Sequence, residues 1–156
     1  MKKKILVLVS ALLIFSAANA FSWGIGGAFG LPLGDDVPGA NALLSLKVDQ
    51  FPFIMGIGFS IGQDTANFGF TADWHMIRQN LTGMLNWYAG PGLYVAYAGD
   101  TFHLGGRVPV ALYIFPIDAL ELFVEVAPTL SAGLGDPITF PNFGIQSSFG
   151  FRFWFN

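Results

Sequence analysis

The sequence predicts an all-β fold: an eight-stranded antiparallel up-and-down transmembrane β-barrel preceded by a cleavable signal peptide. Three observations predict this fold. Charged residues make up only 11% of the 156-residue chain and hydrophobic residues 53%, whereas soluble domains carry about 25% charged residues. After the N-terminal segment, glycines and prolines interrupt every apolar stretch before it reaches the ~20 residues of a membrane helix. Apolar residues instead recur at every second position, and a closed barrel is the other fold that satisfies the backbone in lipid.

The first element is a secretory signal over residues 1–20. Three lysines follow Met1, an apolar run covers residues 5–15, and Ala18-Asn19-Ala20 matches an A-x-A cleavage site. The apolar run is too short to cross a bilayer as a helix. Cleavage after Ala20 leaves residues 21–156 as one domain, the barrel.

Composition excludes several classes of site and partner. The chain has no cysteine, so a lipid anchor on a processed cysteine, disulfides and cysteine-ligated metals are ruled out. Loss of the three signal lysines leaves four basic residues against ten acidic ones, which argues against nucleic acid as a partner. The glycine-rich stretches at 24–27 and 90–92 lack the helix and the lysine of a nucleotide-binding loop, so no cofactor is predicted.

The first four strands alternate apolar side chains with small or polar ones. The fourth is the clearest, because the alternation is unbroken between Asn67 and Met76. The predicted lipid-facing residues are Trp23, Ile25, Phe29, Leu44, Leu46, Val48, Phe53, Met55, Ile57, Phe59, Ile61, Phe68, Phe70, Ala72, Trp74 and Met76. The predicted inward residues are Gly24, Gly26, Ala28, Ser45, Lys47, Asp49, Gly56, Gly58, Ser60, Asn67, Gly69, Thr71, Asp73 and His75.

The last four strands follow the same alternation. The eighth is the most aromatic and extends to the C-terminus. The predicted lipid-facing residues are Trp87, Leu93, Val95, Tyr97, Leu104, Val108, Val110, Leu112, Leu120, Leu122, Val124, Val126, Phe143, Ile145, Phe149, Phe151, Phe153 and Phe155. The predicted inward residues are Asn86, Tyr88, Gly90, Gly92, His103, Arg107, Tyr113, Glu121, Phe123, Glu125, Gly144, Gln146, Ser148, Gly150, Arg152 and Trp154.

An even number of strands places both termini on one side of the membrane, the periplasmic side. The outward connections then fall at residues 32–40, 62–66, 99–102 and 135–142, and the periplasmic ones near 50–51, 78–83 and 116–119. Aromatic residues near the strand ends match interfacial girdles. The predicted periplasmic rim is Trp23, Phe51, Phe53, Trp74, Trp87, Phe115, Phe153 and Phe155, and the outer rim is Phe29, Phe59, Phe68, Tyr97 and Phe143.

A soluble β-sandwich or lipocalin-like barrel is the alternative fold, since its aromatic core residues also alternate. Such a fold would place numerous charged residues on its outer face. Here the charged residues are few and share a face with glycines, which favours the membrane barrel.

The stretch Arg-Val-Pro-Val-Ala-Leu-Tyr-Ile-Phe-Pro-Ile-Asp at residues 107–118 and the aromatic last strand resemble the small OmpA/OmpX-type outer-membrane barrels. The chain is also similar to uncharacterised outer-membrane barrel proteins of spirochaetes. The resemblance implies a location in the outer membrane of a diderm bacterium. It also implies that Phe151, Phe153 and Phe155 form the signal read by the barrel-assembly machinery. Asn156 departs from the family's usual terminal phenylalanine.

The inward face gathers most of the strand charges. An eight-stranded barrel has an interior just wide enough for side chains, and a buried charge needs a partner, so these residues predict a salt-bridged plug. Glu121 and Arg152 fall at the periplasmic ends of neighbouring strands and are expected to pair. A polar conduit is the alternative. The predicted interior polar network is Lys47, Asp73, His75, Arg107, Glu121, Glu125 and Arg152, with Asp49 and His103 on the same inward face.

The two histidines raise the alternative of a lipid-modifying enzyme, which needs a nucleophile beside a histidine and an acid. Known outer-membrane deacylases share a His-x-Ser pair that faces lipid. Here Met76 and Ile77 follow His75, and Leu104 and Gly105 follow His103, so the pattern fails and no catalysis is expected.

The predicted outward connections contain aspartates and no lysine or arginine. Most of these aspartates adjoin glycine and suit turns, and together they predict an acidic outer rim that would attract divalent cations or a cationic extracellular ligand. The short loops predict no deep pocket. The sequence thus favours a structural or surface-binding, adhesin-like outer-membrane protein in contact with lipid, with a narrow pore as the alternative. The rim residues are Asp35, Asp36, Asp64, Asp100 and Asp136.

Overall fold

The computed structural model describes residues 22–33, 40–60 and 67–155, and all regular structure in them is β-strand. No helix in these ranges is long and apolar enough to cross a membrane. The predicted signal peptide lies outside the described residues. The strands are β1 (Trp23–Leu33), β2 (Ala42–Val48), β3 (Phe53–Phe59), β4 (Asn67–Trp74), β5 (Ile77–Thr82), β6 (Leu85–Ala89), β7 (Gly92–Ala98), β8 (Thr101–Arg107), β9 (Val110–Ile117), β10 (Leu120–Leu134) and β11 (Thr139–Phe155).

Eight strands form a closed, barrel-like ring of antiparallel pairs. The order is β1-β2-β3-β4-β7-β8-β10-β11, and β11 pairs back onto β1 so that Trp23 lies opposite Phe155. β1 therefore begins and β11 ends at the same end of the ring, here called the terminal end; the other is the far end. The prediction of an all-β, antiparallel fold with eight strands around the ring is confirmed.

The eleven segments arise because three long strands are interrupted. The breaks lie at residues 75–76, 90–91 and 108–109, between β4 and β5, β6 and β7, and β8 and β9. Pro91 and Pro109 stand at two of them, where an amide proton is missing from the ladder. Hydrogen bonds cross the breaks: Trp74 N donates to Pro91 O over 2.8 Å, and Gly90 N donates to Pro109 O over 3.3 Å. β10 pairs with β9 towards the terminal end and with β8 towards the far end.

Several predicted connections are shorter than expected. Residues 32–33 belong to β1, 101–102 to β8, 116–117 to β9 and 139–142 to β11. The predicted connection at 78–83 is wrong, because most of it is β5, which turns back into β6 at Gly83 with φ of +53°. The strand shows no apolar alternation in the sequence, because it contains the polar residues Arg78, Gln79 and Asn80. Its hydrogen-bonded pairing with β6 holds it in place.

The two faces of the ring differ sharply in chemistry. Leu93 is 67% exposed and Val124 56% exposed on the outer face, whereas Glu121 and Arg152 are each 1% exposed inside. Phe115, expected at the periplasmic rim, instead packs inside near Tyr113 and Trp154. Phe115 follows the inward Tyr113 by two positions on β9, so the alternation of the strand places both side chains on the same face.

Candidate functional site

The candidate site is the charged interior, and one of its two clusters centres on Arg152. Arg152 and Glu121 lie directly opposite each other on β11 and β10, with Arg152 Nη1 2.5 Å from Glu121 Oε1. Trp154 Nε1 donates to the other oxygen of Glu121 over 2.8 Å, and Arg152 Nε donates to Ser45 Oγ over 2.8 Å. The guanidinium lies 4.0 Å from the ring centre of Phe123. The pairing expected between Glu121 and Arg152 is thus present.

The second cluster centres on Arg107, at the level of the strand breaks. Arg107 Nη1 donates to Gln146 Oε1 over 2.8 Å, and Arg107 Nη2 forms an ion pair with Glu125 Oε1. Arg107 Nε lies 3.0 Å from Asp73 Oδ1, but neither atom has a hydrogen bond, so this contact is an ion pair only. Tyr88 donates to Glu125 Oε2 over 2.5 Å.

A glycine makes the contact between Asp73 and Arg107 possible. Gly92 on β7 lies between Asp73 on β4 and Arg107 on β8 in the same register. A Cβ atom at Gly92 would lie 2.0 Å from Asp73 Oδ1 and 3.0 Å from Arg107 Cγ. The two charged side chains therefore meet across a strand because that strand carries no side chain there.

The same arrangement recurs on β1. Lys47 and Trp154 flank Gly24, and the Lys47 ammonium lies 5.3 Å from the centre of the Trp154 ring. Gly26 separates the hydrogen-bonded Ser45 and Arg152 in the same way. Inward glycines thus mark the places where side chains from alternate strands reach each other.

His75 and Asp49, both predicted to point inward, take no part in the two ion-pair clusters. His75 faces inward and stacks on Tyr88, with 3.7 Å between ring centres, and neither of its ring nitrogens has a hydrogen bond within the described chain. The inward placement of Asp49 is wrong. It lies at the turn after β2, half exposed, and pairs with Arg78 over 3.3 Å, because β2 ends at Val48. Arg78 Nε also donates to the hydroxyl of Tyr113 over 2.8 Å.

Sequence reasoning missed the hydrogen-bonding roles of Ser45, Tyr88, Gln146 and Trp154. Each of them lies on the inward face that the alternation predicts. That inward position is the feature of the sequence from which a role in the interior network could be inferred. Arg78 was missed because the polar stretch around it predicts a connection. These residues supply the neutral donors and acceptors that a set of charges inside a barrel needs.

The outer-rim and assembly residues are only partly described. Asp35, Asp36, Asp64 and Asn156 lie outside the described residues. Asp100 is exposed in the turn after β7, beside Gly99 with φ of +57°, and Asp136 is exposed in the bend between β10 and β11. Phe151, Phe153 and Phe155 alternate on the outer face of β11 and are all exposed.

The interior joins strands electrostatically across the ring. Within the described chain the buried cations Lys47, Arg107 and Arg152 match in number the buried anions Asp73, Glu121 and Glu125, so the set is balanced. No group of three or more His, Asp or Glu side chains in the described ranges could hold a metal ion. Comparison with known proteins gives no match to any family model, curated protein or solved structure.

Proposed function

We propose that the mature chain is a small integral outer-membrane β-barrel with a structural or surface-binding, adhesin-like role and a plugged interior. The observation that carries the proposal is the reversal of its faces: exposed apolar side chains outside the ring and buried ion pairs inside it. A water-soluble protein rarely exposes an apolar surface of this extent. In a bilayer the hydrocarbon chains of the lipids would shield the same surface from water.

The dimensions of the outer face suit a bilayer. The outward row of β11 runs from Phe143 to Phe155, a length of about 40 Å at ~3.4 Å per residue. A strand of that length tilted by ~45° rises about 28 Å, enough for the apolar band of ~25 Å in outer-membrane barrels.

Aromatic side chains support two interfacial girdles. Near the far end, neighbouring strands place Phe59, Phe68, Tyr97 and Phe102 side by side in one row. At the terminal end, Trp23 stacks on Phe155 with 4.7 Å between ring centres, and Phe53 lies 6.0 Å from Trp74. The aromatic belts of membrane barrels lie at these two levels.

The sequence adds the route to the membrane. Residues 1–20 would direct export, and the outward phenylalanines of β11 would present the signal for the barrel-assembly machinery, as in the OmpA/OmpX-type barrels that the chain resembles. Both termini would then lie in the periplasm of a diderm bacterium. The aspartate-rich connections at the far end would face outside and attract cationic partners.

The ion-pair clusters favour a plug over a pore. Arg107 and Arg152 hold side chains from β2, β4, β10 and β11 across the ring, which fills the cross-section that an ion would need. Opening a conducting path would require breaking buried ion pairs, at a cost of several kcal/mol.

Single-cysteine labelling tests the proposal, since the chain contains no cysteine of its own. Leu93 and Met84 are nearly equally exposed in the isolated chain, at 67% and 62%. Leu93 lies on the outer face of β7, whereas Met84 lies in the turn between β5 and β6. In lipid vesicles, Met84→Cys should react with a charged, water-soluble maleimide, and Leu93→Cys should react only after unfolding in urea. Equal reaction rates at the two positions in folded protein would contradict membrane insertion.

A further inference from the structure

The interior contains a cavity on the far-end side of the Arg107 cluster. Its floor is formed by Asp73, Arg107 and Glu125, and its walls include Ile54 and Leu43. Its volume is about 80 Å³, well above the ~10–15 Å³ that a single water requires. Strands rather than loops enclose it, so the short connections do not limit its depth.

Two buried hydroxyl groups, one lining this cavity and one next to it, lack partners. Tyr94 lines the cavity, is 2% exposed, and its hydroxyl has no hydrogen bond within the described chain. Across Gly105 from Tyr94, Ser131 is 2% exposed and its hydroxyl is likewise unpartnered. Buried polar groups are normally satisfied, so these atoms point to an occupant.

The charge around the cavity restricts the chemistry of that occupant. The cavity belongs to an interior in which the buried cations Lys47, Arg107 and Arg152 equal in number the buried anions Asp73, Glu121 and Glu125. An anion or cation entering the cavity would add a buried charge without a counter-charge, which is costly. A neutral molecule with a hydroxyl group avoids this cost and can both donate and accept a hydrogen bond.

The walls favour a hydrocarbon body. Ile54 is 4% exposed and Phe123 5% exposed, and Ala28 and Leu43 extend the same apolar lining. Burial of apolar ligand surface against them contributes roughly 25 cal/mol per Å². The polar atoms and the apolar walls are therefore two halves of one small amphiphilic site.

We propose that this cavity binds a small neutral amphiphile. Its hydroxyl group exchanges hydrogen bonds with Tyr94 and the floor carboxylate of Asp73, and its hydrocarbon part packs against Ile54 and Leu43. The site goes beyond the structural or surface-binding role, and ligand binding can be measured on protein refolded in micelles whether or not that role is correct.

Benzyl alcohol is the probe, with toluene, benzoate and benzylammonium as matched molecules of similar size. Amide signals of refolded protein are followed by NMR during each titration. Saturable shifts are expected at Tyr94 and Gly69, which line the cavity, and not at Gly83 in the hairpin turn. Benzyl alcohol should bind at least tenfold more tightly than either ion and severalfold more tightly than toluene.

Two tyrosine variants separate the site from micelle partitioning. Tyr94→Phe removes the unpartnered hydroxyl and should weaken benzyl alcohol binding about tenfold while leaving toluene binding unchanged. Tyr113→Phe is the matched control, because its hydroxyl accepts from Arg78 at the terminal end, and it should bind as wild type does.

Three results would overturn the proposal. Absence of saturable shifts with all four probes would mean that the cavity holds water only. Unchanged benzyl alcohol binding in Tyr94→Phe would exclude the hydroxyl contact. Tighter binding of benzoate or benzylammonium than of benzyl alcohol would exclude the neutral head group.

Discussion

At the scale of residues, inward glycines decide which charges can pair. Asp73 and Arg107 belong to strands that do not neighbour each other, and they meet only because Gly92 lies between them without a side chain. Such a glycine contributes to stability through the ion pair that it permits, in addition to its own backbone contacts.

Gly92→Ala should therefore destabilise the protein by displacing Asp73. Breaking a buried ion pair costs about 3–5 kcal/mol, which sets the upper limit expected in urea unfolding from micelles. Gly106→Ala on the adjacent strand is the control, because the nearest atom to its added Cβ would be 3.9 Å away. Equal stability of the two variants would show that Asp73 moves aside without loss.

Arg152→Met should also cost about 3–5 kcal/mol, since it leaves Glu121 buried without a cation. The double variant Glu121→Leu/Arg152→Met should recover part of that loss, and a double-mutant cycle measures the coupling. Asp49→Asn breaks the half-exposed pair with Arg78 and should cost under ~1 kcal/mol. A loss for the double variant equal to the two single losses combined would mean that the pair is not coupled.

The sequence predicts one cluster better than the other for a topological reason. Glu121 and Arg152 lie on β10 and β11, which are consecutive strands, so the alternation and one hairpin suffice to bring them together. The Arg107 cluster draws on β4, β6, β8, β10 and β11. Its contacts depend on the register of strands far apart in sequence, which no local pattern fixes.

At the scale of elements, period-two alternation identifies the inner and outer faces of the strands. It succeeds where one face is apolar throughout, as in β10. It fails at β5, whose residues are all exposed and mostly polar, because pairing with β6 rather than burial maintains that strand.

Charge substitutions on the outer face of β9 and β10 test this surface. Val110→Arg and Val124→Arg should each cost ~2–4 kcal/mol in bilayers if they lie near the midplane. Met84→Arg, in the hairpin turn at the terminal end, should cost about 0–1 kcal/mol. Unfolding of protein refolded in vesicles provides the measurement, and wild-type stability of both valine variants would mean that this face does not contact lipid.

At the scale of the whole molecule, the proposed plug predicts that the protein does not conduct ions. Wild-type protein inserted in planar bilayers should give no steady current or a very small one, because ion pairs cross the interior at Arg107 and at Arg152. A wide porin in the same bilayer confirms that insertion and recording work. A stable open channel in the wild type would favour the narrow-pore function instead.

The acidic rim predicts a second property of the whole molecule. Simultaneous replacement of Asp35, Asp36, Asp64, Asp100 and Asp136 by Asn should leave the barrel folded and reduce binding of cationic ligands. Binding by the wild type should weaken with added salt, because exposed charges are screened within ~8 Å at physiological ionic strength. If the variant binds a cationic peptide as tightly as the wild type does, these aspartates serve only to form turns.

The seam between β1 and β11 imposes an order of events on folding. All eleven residues of β1 pair with β11. The first of the described strands therefore gains this partner only when the last one has been made. The hairpins between can form from local contacts, whereas this seam pays the loop-closure entropy of nearly the whole chain. Until it forms, β1 and β11 each present an unpaired edge that invites aggregation. A chain truncated within β11 should therefore fail as a whole rather than lose one strand.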